Sequence, residues 1–271
     1  MTNMRHDTQR SSDTLRQVVV VVSLLVAIAG AVVGSGAFWG TPIAEAAGGA
    51  LSADATLIAP AGSAFSIWSV IYLGLAAYTV WQLLPAQKAS ERQRRLGYPM
   101  AASLLLNAAW ILSVQAGFLI LSVVVIVVLL AVLAFAFRLC LGSRPGNWVE
   151  SVVVDGVVGL YLGWVSVATA ANIAAVLVDA GFTGWGLDPD VWGATVVAVA
   201  GLVGIGLAIG GRGRISPAVS LGWGLSWVAV GRLSGEPHSV PTAVAAITAV
   251  VVVVLATLVT RIRASSTASS R

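Results

Sequence analysis

Three apolar stretches of this 271-residue chain carry aromatic rings and carboxamides at helical spacing. Phe65, Trp68, Tyr72 and Ala76 fall at i, i+3, i+7 and i+11, which is one face of a helix. Ser103, Asn107, Trp110 and Val114 make a second such face, and Tyr161, Trp164, Ala168 and Asn172 a third. An unpaired amide is costly in hydrocarbon, so Asn107 and Asn172 must turn into protein and find partners there. Trp and Tyr each present a large flat apolar body with one polar tip. Three faces of this kind turned toward one another line a hollow with aromatic walls and few polar anchors, which suits a small hydrophobic molecule. The candidate ligand-binding residues are therefore Trp68, Tyr72, Asn107, Trp110, Tyr161, Trp164 and Asn172. The same spacing also fits plain packing, with the carboxamides as hydrogen-bonded glue between helices.

Residues for covalent or metal chemistry are not grouped in this way. His6 and His238 lie in the amino-terminal tail and a loop, and the apolar stretches hold no metal-ligand cluster, Ser-His-Asp set or paired carboxylates. No catalytic residue, metal site or enzymatic activity is expected. Gly201, Gly204 and Gly206 lie within an apolar stretch instead of a strand-to-helix turn, which excludes a dinucleotide loop. Asp155 is the only acid inside an apolar stretch; one to two turns from its end, it is expected to snorkel to the membrane interface. Its alternative role is as the coupling group of a secondary transporter for a small substrate. The lone cysteine, Cys140, permits no internal disulfide.

The elements that must position these side chains are membrane helices. Hydrophobic residues make up 58% of the chain and charged residues 10%, with mean hydropathy +0.94. Soluble domains carry about 25% charged residues, so this chain lacks the means to cover a water-facing surface. Eight apolar stretches run roughly through 18–38, 64–84, 99–116, 118–137, 152–178, 191–210, 216–231 and 240–260. A helix needs about 20 mostly apolar residues to cross a bilayer. The expected fold is all-α, a polytopic bundle of eight transmembrane helices; the weakest span is 216–231, short and interrupted by Pro217, Gly222 and Gly224. The stretch from Val18 to Phe38 exceeds the apolar region of a signal peptide, so it is read as a retained first helix.

Orientation follows from the basic residues. With eight spans, fourteen of the fifteen Lys and Arg fall on the side of the amino terminus, and Arg232 alone falls opposite. By the positive-inside rule both termini face the cytoplasm, in a membrane expected to be a bacterial plasma membrane. The net charge of +4 comes from these flanks; no basic cluster is interleaved with aromatics, so nucleic acid is excluded as a partner. The inside loop 85–97 is read as a solvated basic turn. The long outside loop, about 39–63, is rich in Gly, Ala and Pro and apolar enough to lie on the bundle mouth. Trp39, Trp81, Trp148, Trp185 and Trp192 are assigned to an interfacial belt. Gly30/Gly34, Gly159/Gly163 and Gly206/Gly210 are small-residue pairs that let helices approach closely.

The three aromatic faces coincide with segments resembling the TspO/MBR family, the tryptophan-rich sensory proteins related to the translocator or peripheral benzodiazepine receptor. Ser66-Ile67-Trp68-Ser69-Val70-Ile71-Tyr72-Leu73-Gly74 resembles the W-x-x-x-Y of that family's second helix. Leu106-Asn107-Ala108-Ala109-Trp110 is similar to the N-x-x-W of its third. The run from Tyr161 to Asn172 resembles the Y-x-x-W-x-x-x-A-x-x-x-N of its fifth. Elsewhere the chain departs from the pattern. Leu57-Ile58-Ala59-Pro60-Ala61-Gly62-Ser63 replaces a Lys-Pro-x-Trp and Pro-Pro segment, and Leu160 stands where a Pro often precedes the Tyr. Val178-Asp179-Ala180-Gly181 follows the fifth span in place of a basic-aromatic sterol motif.

The resemblance implies a five-helix core over 18–178 and a three-helix extension over 179–260, flanked by cytoplasmic tails 1–17 and 261–271. It further implies an intrabundle site for a porphyrin-like ligand, used in sensing, transport or protection. Sterol binding is not implied, because its motif is missing. No cofactor is expected, a tetrapyrrole being a ligand. The partners implied are membrane lipid and a small hydrophobic ligand, with a homodimer left open. Some members are proposed to degrade porphyrin with a pocket Trp, for which Trp68, Trp110 and Trp164 are the matching positions.

Overall fold

The computed structural model describes residues 2–36 and 40–269; Trp39 and Arg271, and the side chains of Arg5, His6 and Arg10, lie outside the described residues. Among the described residues all regular structure is helical. Eight long helices follow one another: α1 (Thr2–Gly34), α2 (Ile67–Leu83), α3 (Glu91–Gln115), α4 (Leu119–Leu141), α5 (Trp148–Asp179), α6 (Pro189–Gly210), α7 (Ile215–Ser234) and α8 (Val240–Ser269). Seven of them are long and apolar enough to cross a membrane; α7 is the exception. It is nevertheless continuous through Gly222 and Gly224, and Pro217 falls in its first turn, where the missing N–H has no helical partner to lose.

The helix ends are written locally. Pro85 forces Leu84 into an extended conformation and so stops α2. Asn147 caps α5 by accepting from the Glu150 N–H at 2.9 Å, and Asp188 caps α6 by accepting from the Asp190 N–H at 2.8 Å. Pro189 then takes the first position of α6. The first turns of α5 widen into a π-helical segment, Ser151–Gly156, which carries Asp155.

Helices α1 to α5 close a ring: α3 packs between α1 and α4, α5 joins α4, and α2 bridges α5 back to α1. One buried core runs through it, from Val20 and Leu104 to Leu133 and Leu162. Helix α7 packs on α5 from outside the ring, and α6 and α8 pack on each other and on α7. A second buried cluster belongs to this flank, joining Val197, Leu221, Leu225 and Val253 to Val167 of α5 and Ile58 of the long loop.

Two of the three expected small-residue pairs are helix crossings. A Cβ on Gly34 would sit 2.8 Å from Ile111, so α1 lies directly on α3 there. One on Gly163 would sit 2.2 Å from the Pro217 carbonyl oxygen, so α5 and α7 meet backbone to backbone. Gly206 and Gly210 do not pack: a Cβ on either meets nothing within 4 Å. The α6–α8 contact uses Gly201 and Gly204 instead, against Ala249 and Val253. Spacing marks a small-residue stripe but not the face that finds a neighbour.

The basic segments gather at one end of the bundle. Arg16 donates to the Lys88 carbonyl at 3.0 Å, Arg94 pairs with Asp13 at 2.6 Å, and Arg214 donates to the Cys140 carbonyl at 3.0 Å. The segment 85–97 is not the solvated turn expected from its charge. It is helical over Pro85–Lys88 and again from Glu91, and Arg92 and Gln93 are buried. The belt assignment also divides: Trp148 and Trp185 are exposed, whereas Trp81 packs against the ring core and Trp192 donates to the Gly184 carbonyl at 2.8 Å.

Candidate functional site

At the end opposite the basic segments, the long loop from Gly40 to Ser66 folds over the ring. Thr56, Ile58, Ala59 and Pro60 are buried beneath or within it, as its apolar composition leads one to expect. Thr41 and Gln115 exchange two bonds, 3.1 and 2.5 Å, at the first foot of the loop. The second foot is held by α7: the Ala61 N–H donates to the Trp227 carbonyl at 3.1 Å, and the Trp223 indole donates to the Ala64 carbonyl at 2.9 Å. Buried Arg232 reaches back from α7 and donates to the Ala53 carbonyl at 2.7 Å and the Pro237 carbonyl at 2.8 Å.

Beneath this cover the three aromatic faces converge. Trp68 of α2 stands edge-on to Tyr161 and Trp164 of α5, with ring centroids 5.9 and 6.2 Å apart, and Phe65 meets Trp164 at 5.8 Å. Trp110 of α3 donates its indole N–H to the Asn172 carboxamide oxygen at 2.7 Å. The Asn172 amide donates in turn to Ser122 of α4 at 3.0 Å, so one carboxamide joins α3, α4 and α5. Asn107 donates to the Tyr72 hydroxyl at 2.7 Å, and Tyr72 donates to the Ala27 carbonyl of α1 at 3.2 Å. Tyr161 donates to the Ser103 carbonyl at 3.3 Å.

Two small cavities lie among these groups. One, of about 20 Å³, is lined by Trp68, Asn107, Trp110 and Trp164, with Ile126 and Leu129 of α4. The other, of about 40 Å³, lies between the loop and α5, where Leu51, Thr56 and Pro60 face Trp110, Trp164 and Asn172. Both are bounded by Phe65, Trp110, Trp164 and Ala168. The Trp164 indole N–H and the Asn107 carbonyl oxygen are buried without a protein partner, and both residues bound the smaller cavity. A buried donor and a buried acceptor thus stand without protein partners on residues that line one void. Single waters need roughly 10–15 Å³, and small-molecule sites run to about 300–1,000 Å³, so the aromatic site is closed in this conformation.

Five of the seven expected site residues, Trp68, Asn107, Trp110, Trp164 and Asn172, line these cavities. Tyr72 and Tyr161 do not; they stand behind the first wall and tie helices together through backbone carbonyls. Sequence reasoning gave no role to Ser122 or to the loop residues Leu51, Thr56 and Pro60. Ser122 sits in an unbroken aliphatic stretch, where a lone hydroxyl in a helix ordinarily bonds its own backbone. The loop residues carry no periodicity to read.

Asp155 does not snorkel. It is buried at the basic end and holds two guanidiniums, Arg92 in a very short contact and Arg214 at 3.0 Å. Arg92 also pairs with Glu150 at 3.1 Å and donates to Ser143 at 3.0 Å. The π-helical turn brings Asp155 inward, and its counter-charges come from α3 and from the residue before α7. This cluster joins α3, α5 and α7 at the end away from the aromatic cavities and includes none of the residues that line them.

An eight-helix membrane bundle with an aromatic site between helices, closed by a loop, is the class of protein that fold and site define. The chain belongs to the TSPO-like protein family, whose model matches residues 17–259. That match takes in α6, α7 and α8 as well as the five-helix ring. No curated protein and no solved structure matches the chain.

Proposed function

We propose that this membrane protein binds a flat hydrophobic ligand of the tetrapyrrole type between α2, α3 and α5, and acts as a sensor or carrier, not as an enzyme. The observation that carries the reading is the convergence of Trp68, Trp110 and Trp164 on voids where one buried donor and one buried acceptor lack partners. The indoles stack on the ring system, while Asn107 and the Trp164 N–H address its polar edge. Because the voids measure about 20 and 40 Å³, binding requires the loop over residues 41–61 to lift. The same reading sets the basic end in the cytoplasm of a bacterial plasma membrane, with the loop outside.

The test is titration of the purified protein with protoporphyrin, followed by quenching of Trp fluorescence. Saturation is expected at low micromolar ligand, about 8 kcal/mol of binding. Trp164→Ala is expected to weaken that binding at least tenfold (about 1.4 kcal/mol). Unchanged affinity in Trp164→Ala would remove the site assignment.

A further inference from the structure

A larger hollow lies beside the aromatic site, at the same end of the bundle. It measures about 530 Å³ and is bounded by the long loop, the end of α5, the start of α6 and the turn before α8. That volume falls within the roughly 300–1,000 Å³ of small-molecule sites. Its walls are mostly apolar and include Leu57, Leu177, Phe182 and Trp192. Phe182 and Trp192 stand edge-on with centroids 5.5 Å apart, and the Trp192 indole is fixed by its bond to Gly184. The hollow is therefore held open by a rigid aromatic corner, unlike the closed site next to it.

Its formal charge at neutral pH is negative, and His238 is the titratable residue besides Asp188 and Asp190 among the described lining residues. Asp188 and Asp190 line it, the first exposed and the second half-buried, and no Lys or Arg is among the described lining residues. Neither carboxylate has an ion-pair partner among the described residues; Asp188 only caps the backbone of α6. Arg232, at the same end, has NH1 and NH2 engaged by carbonyls and does not line the hollow. Thr56 adds a polar group to the wall. It is 7% exposed, its hydroxyl has no partner, and it stands in the wall shared by this hollow and the aromatic site.

We propose that this vestibule is a second binding site, for an amphiphilic organic cation whose apolar body lies against Phe182, Trp192 and Leu57 while Asp188 and Asp190 face its charge. Aromatic faces and carboxylates attract the same sign of ligand. The site is built by the long loop, the end of α5 and the start of α6, so it gives α6 and its flanking turns a binding role of their own.

The experiment uses the full chain in phosphatidylcholine nanodiscs, whose headgroups carry no net charge. Two probes of like size and shape, tetraphenylphosphonium and tetraphenylborate, are compared by equilibrium binding, each net of its partitioning into protein-free nanodiscs, since the bilayer dipole potential favours the anion. The phosphonium is expected to bind saturably and at least tenfold tighter than the borate. The double variant Asp188→Asn, Asp190→Asn should weaken the phosphonium about tenfold and leave the borate no weaker, as loss of two partly exposed charges allows. Asn also caps helices, so α6 stays intact in that variant. Trp192→Leu should weaken both probes. Equal affinity for the two ions would mean a groove for acyl chains and overturn the proposal, as would phosphonium binding indifferent to the double variant. Loss of phosphonium binding in Trp164→Ala would place the cation in the aromatic site and overturn it too. Protoporphyrin quenching is scored separately, so failure at one site is distinguishable from failure at the other.

Discussion

Substituting Arg232 by Gln tests whether α7 holds the aromatic site shut. The guanidinium is fully buried and gives one bond to Ala53 of the long loop at 2.7 Å and another to Pro237 at 2.8 Å. A hydrogen bond from a charged donor contributes about 1.5–3 kcal/mol net. Gln carries a shorter, neutral amide, which cannot span both carbonyls. Taking the lower figure for the Ala53 bond alone, the loop-open population rises by about tenfold. Since the closed cavities exclude any ligand larger than a few waters, the association rate of protoporphyrin should rise by a similar factor. Amide hydrogen exchange over residues 50–61 reads the opening without any ligand, and stopped-flow quenching reads the association rate. If exchange in that segment is the same in Arg232→Gln as in the parent, the clamp does not govern the loop and the reasoning fails. Faster exchange with an unchanged association rate would instead mean that ligand enters by another route.

Two further expectations concern the frame. Gly163→Ala places a methyl 2.2 Å from the Pro217 carbonyl oxygen, so α7 must move off α5 at about 1–3 kcal/mol; Gly206→Ala meets nothing within 4 Å and should lose no stability. Thermal unfolding in one detergent compares the pair, and equal midpoints would refute the crossing. Asp155→Asn leaves Arg92 and Arg214 without their shared carboxylate, which should cost about 3–5 kcal/mol of stability. A variant as stable as the parent would mean that Asp155 is not a structural hub, and would return attention to proton movement in liposomes.

Much of the frame was legible because lipid imposes a simple rule. Twenty apolar residues are enough to place spans, and the one span that fell short, α7, is the one shielded by α5, α6 and α8. The aromatic faces were legible for a related reason: a carboxamide must point inward, and a period of 3.6 then fixes the residues beside it. Asn107 and Asn172 follow that logic to their partners. What spacing does not carry is depth along the inward direction. Tyr72 and Tyr161 share a face with Trp68 and Trp164 yet stop at backbone carbonyls behind the cavities. Asp155 was misread because its counter-ions lie 63 residues before it, in Arg92, and on the far side of α6, in Arg214. An acid near a span end looks destined for water until the folded partners are known.

The modest hydropathy of α7 bears on how the chain is made. Arg232 in the last turn, with Ser216, Ser220 and three glycines, lowers the tendency of α7 to insert unaccompanied, by less than the about 2.5–3.5 kcal/mol of a charge at mid-helix. The buried face of α7 fits against α5, α6, α8 and the long loop. During synthesis α7 is therefore expected to gain its place late, as a hairpin with α8, which accessibility mapping of chains truncated before residue 240 would check. Until then the long loop lacks its anchors at Trp223, Trp227 and Arg232, and the nascent ring stands uncapped.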